Sequence, residues 1–461
     1  MISLLPFPKS VRFLDGESFL RLPPQARVLF QAQESTFAFL DMATRLTGLP
    51  FTSGYNGVVV KESRNVPSGG YRVTVDRFAT VFYSDMAGLW AGFSALLQLM
   101  EANDGEVILP RVDIQDAPDR DYRGLMVDLA RKWHPVEILF RYVDVCALLR
   151  INRLHLHFND DQSYTLPSDR YPELSTPGRC YTKRQLQELD AYAAARGVVL
   201  VPELEIPGHA KAMVSALPEL FGWKDGAANV LCVGKPEVRQ AVKELLDEMC
   251  QLFPHAPIVH VGGDEAKLEL WNDSQECVEY MESHGLADVK DLYCEFVGEI
   301  CRYVQSLGRQ VAVWEGFPPE GRRFIPENVL VEPFESLYYT PDRLFSDGYS
   351  MINVSWQPLY CVPGRHWTGK DILAWNLFRW ENWWDRSAAF ETPIQLPTTD
   401  RVGGAQYCFW ETAPEDEAPW ICENLAAVCE RCWNVEGMPS YESFSSVWAK
   451  VGPRAARLLA D

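Results

Sequence analysis

The chain has 461 residues, of which 47% are hydrophobic and 23% are charged, an ordinary composition for a globular protein with a large core. Its 43 basic and 63 acidic residues give a net charge of −20 at pH 7, which argues against nucleic acid or an anionic membrane as a partner. No stretch of about 18 consecutive apolar residues is present, so no membrane span is predicted.

The 12 cysteines are scattered along the chain, and several lie inside apolar runs, as Cys146 and Cys408 do. Buried free thiols fit this pattern better than a disulfide framework, which is typical of short secreted chains. The first residues lack a basic segment followed by an uninterrupted apolar run, so no secretory signal is predicted. We therefore expect a cytoplasmic protein, the alternative being an exported protein whose signal peptide has been trimmed.

Residues 1–116 are predicted to form a small α+β domain. Short alternating strands are mixed there with helices whose apolar residues recur three and four positions apart. The predicted strands are Ala26–Gln31, Gly57–Lys61, Tyr71–Val75 and Thr80–Tyr83, and the predicted helices are Glu34–Thr47 and Met86–Glu101.

From residue 117 to residue 461 the pattern changes to apolar strands that alternate with amphipathic helices, which favours an α/β protein with a (β/α)8 TIM barrel. An open doubly wound sheet would carry a Gly-rich turn after its first strand, and Asp128–Trp133 has none. The predicted strands are Gly124–Ala130, Arg153–Phe158, Val198–Glu205, Ile258–Gly262, Gln310–Trp314, Val329–Val331, Ser350–Val354 and Gly404–Trp410. The predicted helices include Val136–Leu149, Lys183–Ala195, Val238–Leu252 and Leu292–Leu307, and Asp371–Asp385 is the least regular stretch.

Polar and aromatic residues follow several of these strands, at the end of a barrel where active sites are built. A single acid after a strand is commonly the cap of the next helix, but a whole set at one end indicates a site. The set comprises Asp128, Arg131, His155, His157, Asn159, Asp160, Asp161, Glu203, Glu205, His209, His260, Asp264, Glu265, Trp314, Glu315, Trp410 and Glu411.

Carboxylates and tryptophans in one cleft favour a carbohydrate ligand, because carboxylates bind hydroxyls and indoles stack on sugar rings. No Gly-rich phosphate loop and no plausible serine nucleophile motif are found in the sequence. Cys422, Cys429 and Cys432 have no matching cluster of His or Cys elsewhere in the sequence, and the pair His155 and His157 alone is a weak signal for a metal site. The sequence therefore predicts neither a metal nor a cofactor.

Five blocks of the sequence resemble glycoside hydrolase family 20, and they come in the order of that family. The blocks are Arg123–Arg131, Asn152–Gln162, Val201–His209, the hexapeptide His260–Glu265 (His-Val-Gly-Gly-Asp-Glu) and Gly404–Trp410. The resemblance implies a (β/α)8 barrel preceded by a small α+β domain. It also implies a retaining exo-β-N-acetylhexosaminidase, which removes terminal β-linked GlcNAc, GalNAc or both from a glycan.

Most retaining glycosidases place two carboxylates about 5–5.5 Å apart around the sugar. Asp264 and Glu265 are neighbours in the sequence and cannot easily flank the anomeric carbon from opposite faces. The resemblance implies that the 2-acetamido oxygen of the substrate is the nucleophile, with Glu265 as general acid and base and Asp264 orienting the acetamido group. Repulsion between the two carboxylates is expected to raise the pKa of the more desolvated one, and the first step needs a protonated acid.

The resemblance also assigns roles to the substrate-binding residues. Arg131 corresponds to the arginine that binds the 3- and 4-hydroxyls, and Asp160 and His209 to a pair that hydrogen-bonds towards the acid/base. The pocket for the acetamido group is assigned to Trp314 and Trp410, and Tyr360 to the tyrosine that donates to the acetamido oxygen.

Two departures from the family pattern concern the outer hydroxyls of the sugar. Glu411 follows Trp410 directly, where the family often has one residue between them, and Val362 stands where an aspartate is expected after Tyr360. We predict that the segment Trp367–Trp384, with Asn376, Arg379 and Glu381, rebuilds this wall. The expected preference is therefore for a substrate other than simple chitobiose, with β-GalNAc as the candidate.

Two alternatives remain open at the level of sequence. One is an enzyme like lacto-N-biosidase that releases a disaccharide, and the other is a non-catalytic carbohydrate-binding relative, against which the intact acidic pair argues. The expected partner is a glycan with a terminal 2-acetamido sugar, and the oligomeric state is left open, a homo-oligomer included.

Overall fold

The computed structural model describes residues 2–14, 19–22, 27–29, 33–53, 57–223 and 228–460. Within these described residues, ten strands and two helices precede the barrel. They are β1 Ser10–Phe13, β2 Phe19–Leu22, β3 Arg27–Leu29, α1 Gln33–Thr47, β4 Thr52–Ser53, β5 Val58–Glu62, β6 Tyr71–Val75, β7 Ala79–Tyr83, α2 Met86–Leu99, β8 Glu101–Asn103, β9 Glu106–Pro110 and β10 Val112–Asp116.

Most strands of this N-terminal domain form one sheet in the order β1-β10-β6-β7-β5-β3-β4, and β2-β9-β8 form a second sheet. Both predicted helices and the strands around β5 to β7 are confirmed. The predicted strand Ala26–Gln31 is described only over β3, and its other residues lie outside the described residues. The helix predicted to reach Glu101 ends at Leu99, because Glu101 pairs with Ile108 in the antiparallel ladder of β8 and β9.

Eight parallel strands then close into a barrel, which confirms the predicted fold class. They are β11 Tyr122–Asp128, β12 Arg153–His157, β13 Val199–Glu203, β14 Ile258–His260, β15 Gln310–Trp314, β16 Leu330–Glu332, β17 Ser350–Asn353 and β21 Val402–Phe409. The pairing of β11 with both β12 and β21 closes the ring. Every residue of β11 is buried, as expected for a strand covered on both faces.

Helices surround the barrel and bury one apolar face each, as α9 does with Leu292, Phe296 and Ile300. The helices are α3 Val136–Leu148, α4 Lys183–Ala194, α5 Lys211–Ala216, α6 Pro218–Phe221, α7 Pro236–Leu252, α8 Gln275–His284, α9 Val289–Ser306, α10 Pro341–Ser346, α11 Trp356–Leu359, α12 Gly369–Ala374, α13 Pro414–Trp433 and α14 Tyr441–Ala460. In the part of this region that the structure describes, short 3-10 turns lie at Pro172–Leu174, Leu268–Asp273 and Pro319–Arg323, and the further short strands are β18 Tyr360–Cys361, β19 Arg379–Trp380 and β20 Ile394–Gln395.

The seventh position of the barrel is divided between two segments. β17 pairs with the start of β21 through Met351 and Val402, and β18 pairs with its end through Tyr360 and Cys408. This division brings Tyr360 to the C-terminal mouth of the barrel. None of the helices in the described part of the chain combines the length and the apolar character needed to cross a membrane.

A buried cluster joins the N-terminal domain to the barrel. One carboxylate oxygen of Asp116, Oδ2, accepts hydrogen bonds from Trp433 Nε1 at 2.9 Å and Tyr71 Oη at 3.3 Å, and it lies 3.4 Å from Arg150 Nη1. The Arg150 guanidinium also lies over the Trp433 ring at 4.8 Å. The two domains therefore share a polar core and pack as one unit.

Closure of the barrel depends on Gly404, whose φ is +152° and which faces Tyr122 across the last strand pair. A Cβ at Gly404 would lie 1.7 Å from the backbone oxygen of Tyr122, whereas a Cβ at Gly308 (φ +77°) meets nothing within 4 Å. We expect Gly404→Ala to destabilise the protein by about 3 kcal/mol through overpacking. Gly308→Ala carries only the backbone penalty of about 1 kcal/mol and is the matched control. Thermal unfolding of both variants checks this, and equal midpoints would contradict it.

Candidate active site

A cleft of about 290 Å³ opens at the C-terminal ends of the barrel strands. Its lining residues follow different strands, so the barrel brings together side chains that are distant in the sequence. They are Arg131, His209, Asp264, Glu265, Trp314, Phe334, Trp356, Tyr360, Val362, Trp383, Trp410 and Glu411. The structure thus gathers eight of the nine residues predicted for the site into one cleft; the ninth, Asp160, lies directly behind it.

Asp264 is buried at the bottom of the cleft, next to the carboxyl group of Glu205. Its Oδ2 lies 3.6 Å from His209 Nε2, and its Oδ1 has no hydrogen-bond partner among the described residues when the carboxyl groups are ionised. Glu205 Oε2 is also without a partner, and burial, with the charge of Asp264, raises the pKa of Glu205 well above its ordinary value. A proton on Glu205, shared with Asp264, satisfies both groups and leaves Oδ2 facing the cleft.

Glu265 extends into the cleft, with 47% of its side chain exposed. Its backbone has a φ of +48°, a left-handed conformation that is uncommon for a residue other than glycine. Glu265 Oε2 lies 3.3 Å from His209 Nε2, and this hydrogen bond lowers the pKa of Glu265. Such backbone outliers are concentrated at functional sites, and His209 and Glu411 have them too, with φ of +49° and +57°.

The pKa values of the acidic pair differ in a way that the sequence argument did not anticipate. Burial raises the pKa of Asp264, the more desolvated carboxyl group, whereas the pKa of Glu265 is lowered. Burial disfavours the charged form of His209, but Asp160 and Glu265 outweigh burial and raise its pKa well above the ordinary value. In the free protein, the proton shared by His209 and Glu265 therefore lies mainly on the histidine.

Arg131 is held at the side of the cleft by two carboxylates. Its guanidinium lies 2.7 Å from Asp160 Oδ2 and 3.3 Å from Asp128 Oδ2, and it covers the Trp410 ring at 5.0 Å. Asp128 also accepts the backbone N–H of Glu411 at 3.1 Å, so it fixes two cleft residues. Arg131 lines the cleft, and a guanidinium suits paired oxygen atoms of a ligand because its N–H donors have a fixed geometry.

Asp160 lies behind this surface and does not line the cleft. It is buried, and its oxygens contact Arg131, His209 at 3.2 Å and His157 at 3.0 Å. Burial favours its neutral form, but the hydrogen bonds from His157 and His209 outweigh burial and lower its pKa. The structure therefore places Asp160 as a support for Arg131 and His209, and no substrate contact follows from its position.

Aromatic rings form most of the remaining wall. The Trp314 ring, 1% exposed, lies 5.7 Å from Trp410 and 5.9 Å from Phe334, and Phe334 is parallel to Tyr360 at 6.4 Å. Trp356 packs against Trp383 at 5.0 Å. Such a wall suits the apolar faces of a sugar ring and a methyl group.

Phe334 and Trp356 belong to the cleft but were not predicted from the sequence. Each follows a predicted barrel strand within a few residues, so its position was the available signal, which is weaker for an apolar residue than for a polar one. Of the segment Trp367–Trp384, only Trp383 lines the cleft; Arg379 and Glu381 line a neighbouring cavity with Trp367 and Asp371, and Asn376 is exposed.

A second buried acid, Glu335, lies near the acidic pair and was also missed. Burial and the charges of Glu265 and Glu315 raise the pKa of Glu335 to about 8, so its neutral form predominates at pH 7. Its loop is fixed by Glu315, which accepts the backbone N–H groups of Ser336 and Tyr338 at 2.8 Å. Glu315, which follows β15, therefore holds the loop that follows the neighbouring strand β16.

Several groups of His, Asp and Glu in the described residues are close enough to hold a metal ion, among them His155, Glu203 and His260. In that group the carboxylate of Glu203 already contacts His155 at 3.1 Å and His260 at 3.2 Å. Hydrogen bonds account for these contacts without a metal ion.

Comparisons with known proteins agree on one family. Residues 121–436 match the model of glycosyl hydrolase family 20, catalytic domain, and residues 1–117 match domain 2 of the same family. The β-hexosaminidase of Vibrio furnissii is 30% identical over 456 residues, which are 89% of this chain and 72% of that protein. The β-hexosaminidase of Akkermansia muciniphila is 32% identical over 280 residues, which are 55% of this chain and 57% of that protein.

The solved structures include a protein with nearly the same fold. It is the family 20 exo-β-N-acetylglucosaminidase of Vibrio harveyi in complex with N-acetylglucosamine, with a TM-score of 0.86, 22% identity and coverage of 99% of this chain and 77% of that chain. At this identity the likeness establishes a shared fold.

Proposed function

The chain belongs to glycosyl hydrolase family 20, and we propose that it is a retaining exo-β-N-acetylhexosaminidase, which removes terminal β-linked GlcNAc or GalNAc from a glycan. The observation that carries this is the placement of Asp264 and Glu265 around one histidine, His209, at 3.6 and 3.3 Å. Both carboxylates therefore lie on one side of the cleft. A conventional retaining pair acts from two faces of the sugar, so the nucleophile here comes from the substrate.

In the first step Glu265 protonates the glycosidic oxygen. The free protein keeps the required proton between His209 and Glu265, mainly on the histidine. A bound glycan removes water from the half-exposed Glu265 carboxylate, which favours its neutral form and draws the proton across the 3.3 Å contact. The bond from C1 to the leaving oxygen then breaks, and the leaving group departs as an alcohol.

The acetamido oxygen attacks C1 as this bond breaks and forms an oxazolinium ring. Asp264 Oδ2, which faces the cleft, accepts the acetamido N–H, and its charge stabilises the positive ring. Trp314, Trp410 and Tyr360 surround the acetamido group. In the second step Glu265 takes a proton from water, whose oxygen opens the ring at C1, so that the β-configuration is retained.

The outer hydroxyls meet a wall that differs from the usual family pattern. Val362 lines the cleft without a polar group, and Glu411 is an exposed carboxylate on the same lining. Arg131 and Glu411 therefore carry the recognition of these hydroxyls. We expect β-GalNAc to be hydrolysed at least as efficiently as β-GlcNAc, and a strong bias towards β-GlcNAc would contradict this.

Hydrolysis of the p-nitrophenyl glycosides of β-GlcNAc and β-GalNAc, with and without a thiazoline analogue of the oxazolinium, tests the proposed function. We expect turnover of at least one glycoside and competitive inhibition by the thiazoline. A protein that binds the thiazoline but cleaves neither glycoside would favour an enzyme that releases a disaccharide. Absence of both cleavage and binding would refute the assignment of the site.

A further inference from the structure

A line of hydrogen-bonded groups runs from Glu265 into the interior of the barrel, well beyond the residues that line the cleft. Histidines and carboxylates alternate along it, so that each histidine lies between two acids. From the cleft inwards the contacts are Glu265 Oε2–His209 Nε2 (3.3 Å), His209 Nδ1–Asp160 Oδ1 (3.2 Å), Asp160 Oδ2–His157 Nε2 (3.0 Å) and His157 Nδ1–Glu203 Oε2 (2.6 Å).

Glu203 is where this line meets the sugar pocket. Its carboxylate is fully buried at the end of β13. One oxygen, Oε2, contacts His157 and His155, and the other, Oε1, accepts the indole N–H of Trp314 at 2.5 Å and lies 3.2 Å from His260 Nδ1. One carboxylate thus holds both a histidine of the line and an aromatic wall of the cleft.

We propose that Glu203 is a positioning residue that serves both halves of the active site. Towards the acid/base it acts through His157 and Asp160, which support His209. Towards the substrate it fixes the orientation of the Trp314 indole. The proposal rests on the proposed function for its kinetic consequences, and it concerns a residue that touches neither the substrate nor the reacting atoms.

The charges along the line give the proposal its physical basis. Burial disfavours a charged His157, but Glu203 and Asp160 outweigh burial and raise its pKa to about 10, so His157 is a cation at neutral pH. This cation lies nearer to His209 than Glu203 does, since His157 stands between Glu203 and Asp160. It therefore lowers the pKa of the proton that His209 and Glu265 share.

Other titratable groups face the same region and also affect the pKa values of Glu203 and His209. Those that act on Glu203 are His155 and His157 from β12, His260, Glu205, Asp264, Glu332 and Cys408, and those that act on His209 are Arg131, Asp160, Asp264 and Glu265. Glu332 differs from Glu203 in its hydrogen bonds: it accepts from Gln406 at 2.9 Å and lies 4.0 Å from His155. Its backbone pairs with that of Trp314 in the barrel, but within the described residues its carboxyl group is hydrogen-bonded neither to His157 nor to the Trp314 indole.

The test compares Glu203→Gln with Glu332→Gln as the matched control. Without Glu203, His157 loses its proton, so His209 loses both a nearby cation (His157) and a more distant anion (Glu203). The nearer charge has the larger effect, and the pKa of the proton that His209 and Glu265 share therefore rises. We expect the alkaline limb of kcat/KM to move to higher pH by about 0.5 to 1 unit in Glu203→Gln. The thiazoline should bind about tenfold more weakly because Trp314 is less well held. Glu332→Gln should keep the wild-type limb and thiazoline affinity.

A measurement without substrate separates this proposal from the proposed function. Nitrogen NMR of the eight histidines reports protonation directly, with signals assigned by substitution. We expect His157 to be doubly protonated at pH 8 in the wild type and neutral in Glu203→Gln. If Glu203→Gln does not fold, His157→Gln breaks the same link and should move the alkaline limb further in the same direction, because the Glu203 anion then remains.

The outcomes are distinct. An inactive wild type would refute the proposed function, whereas the histidine signals would still decide whether Glu203 holds the proton. An active Glu203→Gln with an unchanged alkaline limb, or with His157 still protonated at pH 8, would overturn the proposal. A similar shift in Glu332→Gln would also overturn it, because the effect would then come from the replacement of any buried carboxyl group in the barrel.

Discussion

Glu265→Gln is expected to hydrolyse the p-nitrophenyl glycosides about 10³-fold more slowly than the wild type, within the range measured for general acid and base groups. The variant keeps the shape of the side chain and a hydrogen bond to His209 but can neither give nor take a proton. Because both chemical steps use that proton, the loss should fall on kcat, with KM changed little. Steady-state kinetics on the better of the two glycosides provides the measurement.

The leaving group distinguishes lost proton transfer from a damaged cleft. A 2,4-dinitrophenyl glycoside needs little protonation, so Glu265→Gln should form the oxazolinium from it rapidly and then stall at hydrolysis. Added azide should restore turnover and give the β-azide, because an anion needs no general base. Glu411→Gln, another exposed cleft carboxylate with a left-handed backbone, should raise KM without this pattern. Equal losses for both leaving groups would count against Glu265 as the acid.

Much of the fold could be predicted from the sequence because the barrel strands are short apolar runs with a polar or aromatic residue at the end. Gln310–Trp314 shows this well, since its predicted bounds are those of β15. Several strands of the first domain were missed: β1 is mostly exposed and only four residues long, and β9 and β10 were missed although alternate residues of each are buried. Each of these strands has five residues or fewer, and over so few residues an apolar alternation is a weak sign of a strand.

The residues of the site were easier to predict than their protonation. Arg131, Asp264 and Glu265 could be placed by their position after strands and by the family resemblance. The order of the pKa values of Asp264 and Glu265 could not be predicted, because it depends on His209, which reaches Glu265 only in the folded chain. The double role of Glu203 was hidden for the same reason, since Trp314 is 111 positions away in the sequence.

Asp264→Asn is expected to lower kcat/KM on both glycosides by about 10²- to 10³-fold, the loss typical of removing one group that stabilises charge in a transition state. An asparagine can still accept the acetamido N–H through its oxygen, but it carries no negative charge to oppose the oxazolinium. The thiazoline, which resembles that ring, should therefore lose affinity by a similar factor. Inhibition constants measured beside the kinetics provide the comparison.

Asp161→Asn is the matched control, since Asp161 lies at the same mouth of the barrel but binds the backbone N–H of Lys211 and the side chain of Asn229. It should keep activity and thiazoline affinity within about twofold, as expected for a surface substitution away from the chemistry. Asp264→Asn should also lower the pKa of Glu205, because burial still raises this pKa but the neighbouring charge that adds to the effect of burial is gone. A variant that loses activity yet binds the thiazoline as tightly as the wild type would show that Asp264 acts on something other than the charged ring, and acetamido assistance would then need another anion in the cleft.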